Sequence, residues 1–322
     1  MAEFVLKQFE DLRQDWDDLC RKSRARLLFS SPSWCEVWWR HFSEDNELYL
    51  GAVTEQGNII GIAPLRLKDG LLHFIGSDNV CDFLDFIVEP GKEDIFFTAL
   101  RQHLERTDYK RLELSPLLPD SIAHRWIASM APGSDKEAGC TEDDVTVALD
   151  LPADLPSYLA LLDGKQRHEI LRKERRLLEE GEIAYEVKPQ AEERDIEVFL
   201  DFFRGSREDK NRFLTPGMES FFRDIIASAA LDQKLRLGIL TINQVKIAVT
   251  LCFDYRDEIY LYNSGYNPAY RPLSAGLLSK YYSIRDSIEK NKRRYDFLRG
   301  AERYKYHLGG SETQLSRCII NI

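Results

Sequence analysis

Apolar residues recur at helical spacing between Asp11 and Ser23, where Leu12, Trp16 and Leu19 predict an amphipathic helix. Phe29-Ser30-Ser31-Pro32 then reads as a helix start, with Ser31 as N-cap and Pro32 in the first helical position, and the helix continues through Val37, Trp38 and Phe42. From Glu47 the apolar period falls to two. Residues 48–54, 59–68 and 71–75 are predicted strands, separated by turn signals at Gln56-Gly57-Asn58 and Asp69-Gly70. A helix over 92–106 and a strand over 110–114 follow, so the first half reads as an antiparallel meander passing into a strand-helix-strand crossover.

The second half repeats this order. Leu235-Arg236-Leu237-Gly238-Ile239-Leu240-Thr241 matches residues 48–54 as Leu-x-Leu-Gly-x-x-Thr, and Phe213-Leu214-Thr215-Pro216 matches residues 29–32, at nearly the same offset. Strands over 245–254 and 258–264, a helix over 274–290 and a strand over 294–298 then mirror the first half. Solenoid repeats span roughly 20–50 residues, so an offset this long predicts a duplicated domain. Between the copies lies a loop from Pro132 to Asp144, a short strand over 145–149, and a break at Leu151-Pro152. The boundary is set there, giving domains 1–150 and 151–322. A basic helix over 165–180, stopped by Gly181, opens the second domain.

Composition narrows the classes. A chain with 43% hydrophobic and 30% charged residues is a soluble globular protein, and none of its apolar runs reaches the roughly 18 residues of a membrane span. The acidic N-terminus does not read as a signal peptide, so the expected location is cytoplasmic. The six cysteines are scattered without a Cys-x-x-Cys pair and the histidines lack ligand spacing, so buried thiols and no metal are expected. A net charge of −10 argues against DNA. Basic islands at 165–176 and 285–305 suit a small anionic ligand, or are solvated helix faces.

Two stretches carry candidate chemistry. In residues 262–276 a strand ends, a loop follows, and a helix begins near Ser274 with Ala275 and Gly276 in its first turn, where small residues let an anion approach free backbone N–H groups. The helix dipole supplies ~0.3–1 kcal/mol when exposed, whereas micromolar affinity needs about 8 kcal/mol; the helix end orients an anion and further groups must hold it. An ordinary capped helix burying Leu277, Tyr281, Ile284 and Ile288 is the competing reading. In residues 295–310 an apolar strand runs into Arg299-Gly300, followed by Glu302, Tyr304 and Lys305. A strand, a turn and a solvated tail is the alternative there.

Ser264-Gly265-Tyr266, Ser274-x-Gly276-Leu277-Leu278 and, above all, Asp296-Phe297-Leu298-Arg299-Gly300-x-Glu302-x-Tyr304-Lys305 resemble the GNAT acyltransferases of the paired-domain type, the cellulose-biosynthesis acetyltransferase-like proteins related to Fem-type peptidyl transferases. The resemblance implies an α/β fold of two tandem GNAT-like domains and transfer of an acyl group, in the simplest case acetyl, from acyl-CoA to an amine or hydroxyl of a small-molecule or glycan-precursor acceptor. It assigns the donor to the second domain and the acceptor to the first, which lacks the Arg-Gly-x-Glu-x-Tyr-Lys run. The ordinary Arg/Gln-x-x-Gly-x-Gly/Ala loop is reduced here to Arg271-Pro272-Leu273-Ser274-Ala275-Gly276, so a Fem-like aminoacyl-tRNA donor stands as an alternative, as does a non-catalytic binding protein of polysaccharide assembly.

Backbone N–H groups around Asn263 to Gly265 are expected to meet the acyl carbonyl, with Tyr304 or Tyr266 as the acid for a departing thiolate. Asp82 and Asp85, set among Phe83, Leu84 and Phe86, are candidates for the base, with Glu302 as competitor; loop-capping is the alternative role of the aspartates. Ser264, Gly265, Arg271, Ser274, Ala275, Gly276, Arg299, Gly300 and Lys305 are the expected donor-binding residues, with a structural ion pair as the alternative for Arg299 and Lys305.

Overall fold

The helix start anticipated at Ser31 forms, its hydroxyl accepting from Trp34 N, and the matching stretch at Thr215 starts a helix too, its hydroxyl accepting from Met218 N; Pro32 and Pro216 open the two helices. The computed structural model describes residues 2–23, 25–109, 111–130 and 138–321, which form two units.

Unit one comprises residues 1–145 and 313–322. Its elements are β1 (Glu3–Leu6), α1 (Phe9–Lys22), α2 (Pro32–Phe42), β2 (Glu47–Glu55), β3 (Asn58–Lys68), β4 (Leu71–Phe74), β5 (Ile87–Val88), α3 (Glu93–Leu104), β6 (Arg111–Leu117), α4 (Ile122–Ala128) and the first part of β7 (Ala138–Asp150). The strands are ordered β1-β2-β3-β4-β6 with antiparallel pairing, except that β4 and β6 run parallel and meet at Leu72 and Leu112. Most of β13 (Ser311–Asn321) closes this sheet, antiparallel to β6. Phe74, Phe86, Phe96 and Phe97 pack edge to face or tilted at the centre of the core.

Unit two comprises residues 146–312. It holds the rest of β7, then α5 (Leu155–Leu161), α6 (Gly164–Glu179), β8 (Ile183–Lys188), α7 (Glu193–Ser206), α8 (Glu208–Phe213), α9 (Pro216–Leu231), β9 (Leu235–Ile242), β10 (Val245–Tyr255), β11 (Glu258–Tyr266), a 3₁₀ turn over Pro268–Leu273, α10 (Ala275–Glu289), β12 (Arg294–Arg299) and α11 (Arg303–His307). Its strand order, β8-β9-β10-β11-β12-β7, repeats that of unit one, and again the last meander strand and the post-helix strand, β11 and β12, are the parallel pair. The duplication read from the sequence is a duplication of topology.

Several expectations change. The stretch read as a loop from Pro132 to Asp144 is, from Ala138 on, part of the long strand β7; residues 131–137 and Lys110 lie outside the described residues. Unit one takes its closing strand from residues beyond Thr313, so the division at Leu151 does not describe it. Cys140 and Cys318 form a disulfide, because extending β7 brings Cys140 beside a strand distant in sequence; Cys20, Cys35, Cys81 and Cys252 are the buried thiols expected. The strand expected over 294–298 forms as β12, the post-helix strand of unit two, and β13, most of which belongs to unit one, follows it in the chain.

The unit-two core contains one ionic knot. The Asp195 carboxylate, whose side chain is 0% exposed, accepts from Lys188 Nζ at 2.8 Å and Lys246 Nζ at 2.6 Å. Burial pushes its carboxyl up, but the two lysine bonds outweigh that and hold it below the ordinary value. Because the folded value lies below the unfolded one, this stability is present above the unfolded carboxyl range and is lost as pH falls through the folded value. Asp195→Asn is expected to cost about 3 kcal/mol in urea unfolding at pH 7 and to flatten the acid limb of the stability profile; a cost under about 1 kcal/mol would place the knot among solvated surface pairs.

Candidate functional site

β11 and β12 pair only at Glu258–Tyr260 with Arg294–Asp296 and then separate. β11 continues to Tyr266 against β10, so its other edge opens beyond Tyr260. At the opening β11 carries a bulge: Leu251 stands opposite Asn263 and Cys252 opposite Leu261, leaving Tyr262 as the extra residue, which turns the backbone locally. Beyond Tyr260 the edge of β11 that faces β12 has no strand partner among the described residues.

β12 leaves the pair through a sharp backbone turn. Leu298 has φ +64° and Gly300 φ +100°, a region glycine enters readily and leucine does not. The buried Asp296 carboxylate accepts from Leu298 N at 2.8 Å and from the Thr146 hydroxyl at 3.3 Å. Lys305 fills the inside of the turn. Its ammonium, 1% exposed, donates to Leu298 O at 2.7 Å, Arg299 O at 2.6 Å and Gly300 O at 2.9 Å, and lies 2.9 Å from a Glu302 carboxylate oxygen. The expectation that Lys305 binds an external anion is therefore corrected: its donors are spent on the chain's own carbonyls, and α11 opens at Arg303 where a solvated tail was the alternative.

The other wall of the fork is the start of α10. Ser274 caps it in the left-handed conformation, φ +59°, and Ala275 and Gly276 form the first turn, where N–H groups lack intrahelical partners. A Cβ on Gly276 would stand 2.8 Å from the Tyr266 ring, so the glycine lets that ring lie against the helix start. Gly265 has a different reason: its Cβ would stand 2.3 Å from the Phe202 and Phe203 backbone, so it serves the approach of α7 to β11. Arg271 is exposed on the 3₁₀ turn before the helix, and Arg299 is half-buried at the end of β12.

Two lysines complete the site. Lys280, one turn into α10 and 8% exposed, donates to Gly276 O at 2.7 Å and places its ammonium 4.9 Å from the centre of the Tyr304 ring. Burial, and then the charge of Lys210, push it down to about 7. Lys210, on α8, donates to Ser264 O at 2.6 Å and lies over the Phe203 ring at 4.6 Å; burial, and then Arg207, push it down to about 8. Burial, and then Glu302, raise the Tyr304 phenol, which stays protonated at neutral pH. Sequence reading missed both lysines. Lys280 left a trace, a basic residue within the apolar run from Leu277 to Ile284, while Lys210 sits in a short charged helix that looks solvated.

The fork thus gathers Ser264, Gly265, Tyr266, Ser274, Ala275, Gly276, Arg299, Gly300, Glu302, Tyr304 and Lys305 of the residues expected from sequence. Asp82 and Asp85 belong to unit one. Asp85 is buried and caps α4: its carboxylate accepts from Ile122 N at 2.8 Å, Ala123 N at 3.0 Å and Phe86 N at 2.9 Å. Burial pushes its carboxyl up to about 7 against these three bonds. Capping, the alternative role considered for it, is what its geometry performs. Asp82 is half-buried in the same loop.

Residues 164–306 match the family described as acetyltransferase (GNAT) domain. Among curated proteins, none matches this sequence. Of solved structures, FemX is similar over 98% of this chain and 96% of its own, with TM-score 0.68 at 12% identity. A conserved protein of unknown function from Bacteroides thetaiotaomicron VPI-5482 is similar over 100% of both chains, with TM-score 0.61 at 13% identity. The C-terminal domain of a putative lysylphosphatidylglycerol synthetase from Agrobacterium fabrum covers 97% of this chain and 92% of its own, with TM-score 0.60 at 10% identity. At these identities the likeness is one of fold. Together with the family match over residues 164–306 it bears out the GNAT-type paired architecture that the sequence motifs pointed to, in a fold like that of FemX.

Lys305→Met is expected to lower stability by about 3 kcal/mol, because it leaves buried carbonyls without their donor. Thermal and urea unfolding check this; an unchanged midpoint together with weaker anion binding would return Lys305 to the ligand-binding set.

Proposed function

We propose that unit two transfers an acyl group, in the simplest case acetyl, from an acyl-CoA to an amine or hydroxyl of a small-molecule or glycan-precursor acceptor, with unit one on the acceptor side. The observation that carries this reading is the open edge of β11 beyond its bulge, facing the small-residue start of α10, inside the segment that matches the GNAT acetyltransferase family.

The residues fit such a donor. The N–H groups of Ala275 and Gly276, with Arg271 beside them in the preceding turn, suit a pyrophosphate, and the peptide edge from Asn263 to Gly265 suits the amide-bearing arm and the acyl carbonyl. Arg299 stands at the end of the opposite strand as a second cation. When bound, the donor supplies an activated acyl carbon in a thioester. The chain's own part is to orient that carbon and to manage protons. Tyr304, kept protonated by burial, is the proton donor for a departing thiolate, with Tyr266 at the other side of the helix start. Lys280 beneath the Tyr304 ring changes charge near neutral pH, so it sets the field at the phenol as pH changes. Glu302, exposed beside Gly300, is the carboxylate on the unit-two side suited to accept the acceptor's proton.

One observation favours a different donor. Lys165, Arg172, Arg175 and Arg176 are exposed on α6 and make no ion pair among the described residues, a stripe suited to the phosphates of an aminoacyl-tRNA.

Calorimetry with acetyl-CoA and coenzyme A tests the leading reading, and binding is expected; none at millimolar ligand, with acyl transfer from charged tRNA, would replace it with the second, and neither would leave a non-catalytic binding protein. Tyr304→Phe is expected to lower kcat about 100-fold with the donor Kd little changed. The wild-type rate profile is expected to show an inflection near pH 7 that Lys280→Met removes; an inflection that survives this substitution would take Lys280 out of the mechanism.

A further inference from the structure

Unit one has a fork of its own. β4 and β6 meet at Leu72 and Leu112 and separate at once, and the space between them is a cavity of about 290 Å³ walled by residues that follow those two, with Arg66 from β3 and Arg317 from β13. This lies at the lower end of the roughly 300–1,000 Å³ of small-molecule sites, a size that suits a single sugar ring.

The wall's charges select the ligand. Every nitrogen of Arg66 already donates to an uncharged oxygen: Nε to Phe74 O at 3.0 Å, Nη1 to Asn46 Oδ1 at 2.6 Å and Nη2 to Gly76 O at 3.2 Å. Arg317 donates to Glu113 Oε1 and Asp78 Oδ2, both at 2.6 Å, and to Asp143 Oδ1 at 3.4 Å, while the Ser115 hydroxyl donates to the other Asp143 oxygen. Two guanidinium groups therefore face three carboxylates, and Glu113 Oε2 and Asp78 Oδ1 accept no hydrogen bond from the described residues. His73 is half-buried and held below its ordinary value by burial and then Arg66, so it adds no charge at neutral pH. Three of the five N–H groups of each guanidinium are already donated, and an incoming anion would also meet two carboxylate oxygens with lone pairs to spare. An ammonium group would meet the acceptors it needs.

We propose that the unit-one cavity binds a small hydroxylated primary amine, its ammonium held by Asp78 and Glu113 and its hydroxyl groups by Ser115, Asn79 and His73. This concerns binding in unit one and goes beyond the acyl-transfer reading of unit two; measured without any acyl donor, the two fail separately.

The test is calorimetry on the full chain with D-glucosamine as probe, and N-acetyl-D-glucosamine and D-glucose as uncharged counterparts. Saturable binding of the amine is expected, with the counterparts weaker by about tenfold or more. Asp78→Asn and Glu113→Gln are each expected to weaken the amine about fivefold to tenfold. Because Glu113 also holds Arg317, Asn79→Trp provides a second variant: Asn79 is exposed at the cavity, and an indole there is expected to abolish binding without moving the melting temperature. No saturable heat with millimolar glucosamine, equal affinity for all three sugars, or full affinity in a folded Asn79→Trp protein would each overturn the proposal.

Discussion

The Lys305 ammonium is what allows β12 to leave β11. A strand that departs from its neighbour strands its peptide groups, and here the turn also requires a leucine in the left-handed region. Three consecutive carbonyls converge on one buried cation, which replaces the lost ladder bonds and repays the strain. The Asp296 carboxylate does the same for the Leu298 N–H from the other side. A lysine and an aspartate nine residues apart in the sequence thereby wedge the fork open, and the free edge of β11, the start of α10 and the Tyr304 ring all take their places from that wedge.

The two units spend the same topology differently. In unit two the fork is bounded by a glycine-bearing helix start and two lysines that burial pushes below the ordinary lysine value. In unit one the corresponding fork carries arginines locked by carbonyls and carboxylates, which leaves acceptors in excess. Duplication supplies two openings of one strand topology whose walls carry different charges.

Much of the fold was legible because its signals are local. Alternation and turn residues marked both meanders, and the Ser31-Pro32 start marked a helix. β8, α7 and β13 were missed: β8 is mostly half-exposed, and β13 pairs with β6, far away in the sequence. Site residues were found by type and misjudged in role for the same reason. In sequence Lys305 and Asp85 read first as an anion binder and a base, with structural roles as the alternatives; packing makes the first a backbone clamp and the second a helix cap. Lys280 went unnoticed, a polar position on a helix whose surface is buried almost all round.

The exchange of closing strands has a consequence in time. Most of unit one precedes unit two in the chain, yet the strand that covers β6 is translated only after the rest of unit two. On the ribosome, unit two can complete its sheet as soon as β12 emerges, because β7 already precedes it in the chain. Unit one must wait with the edge of β6 unpaired, an edge on which another nascent chain can pair. The second-made half is thus the first able to close, and the first-made half depends on the speed with which the ribosome delivers β13.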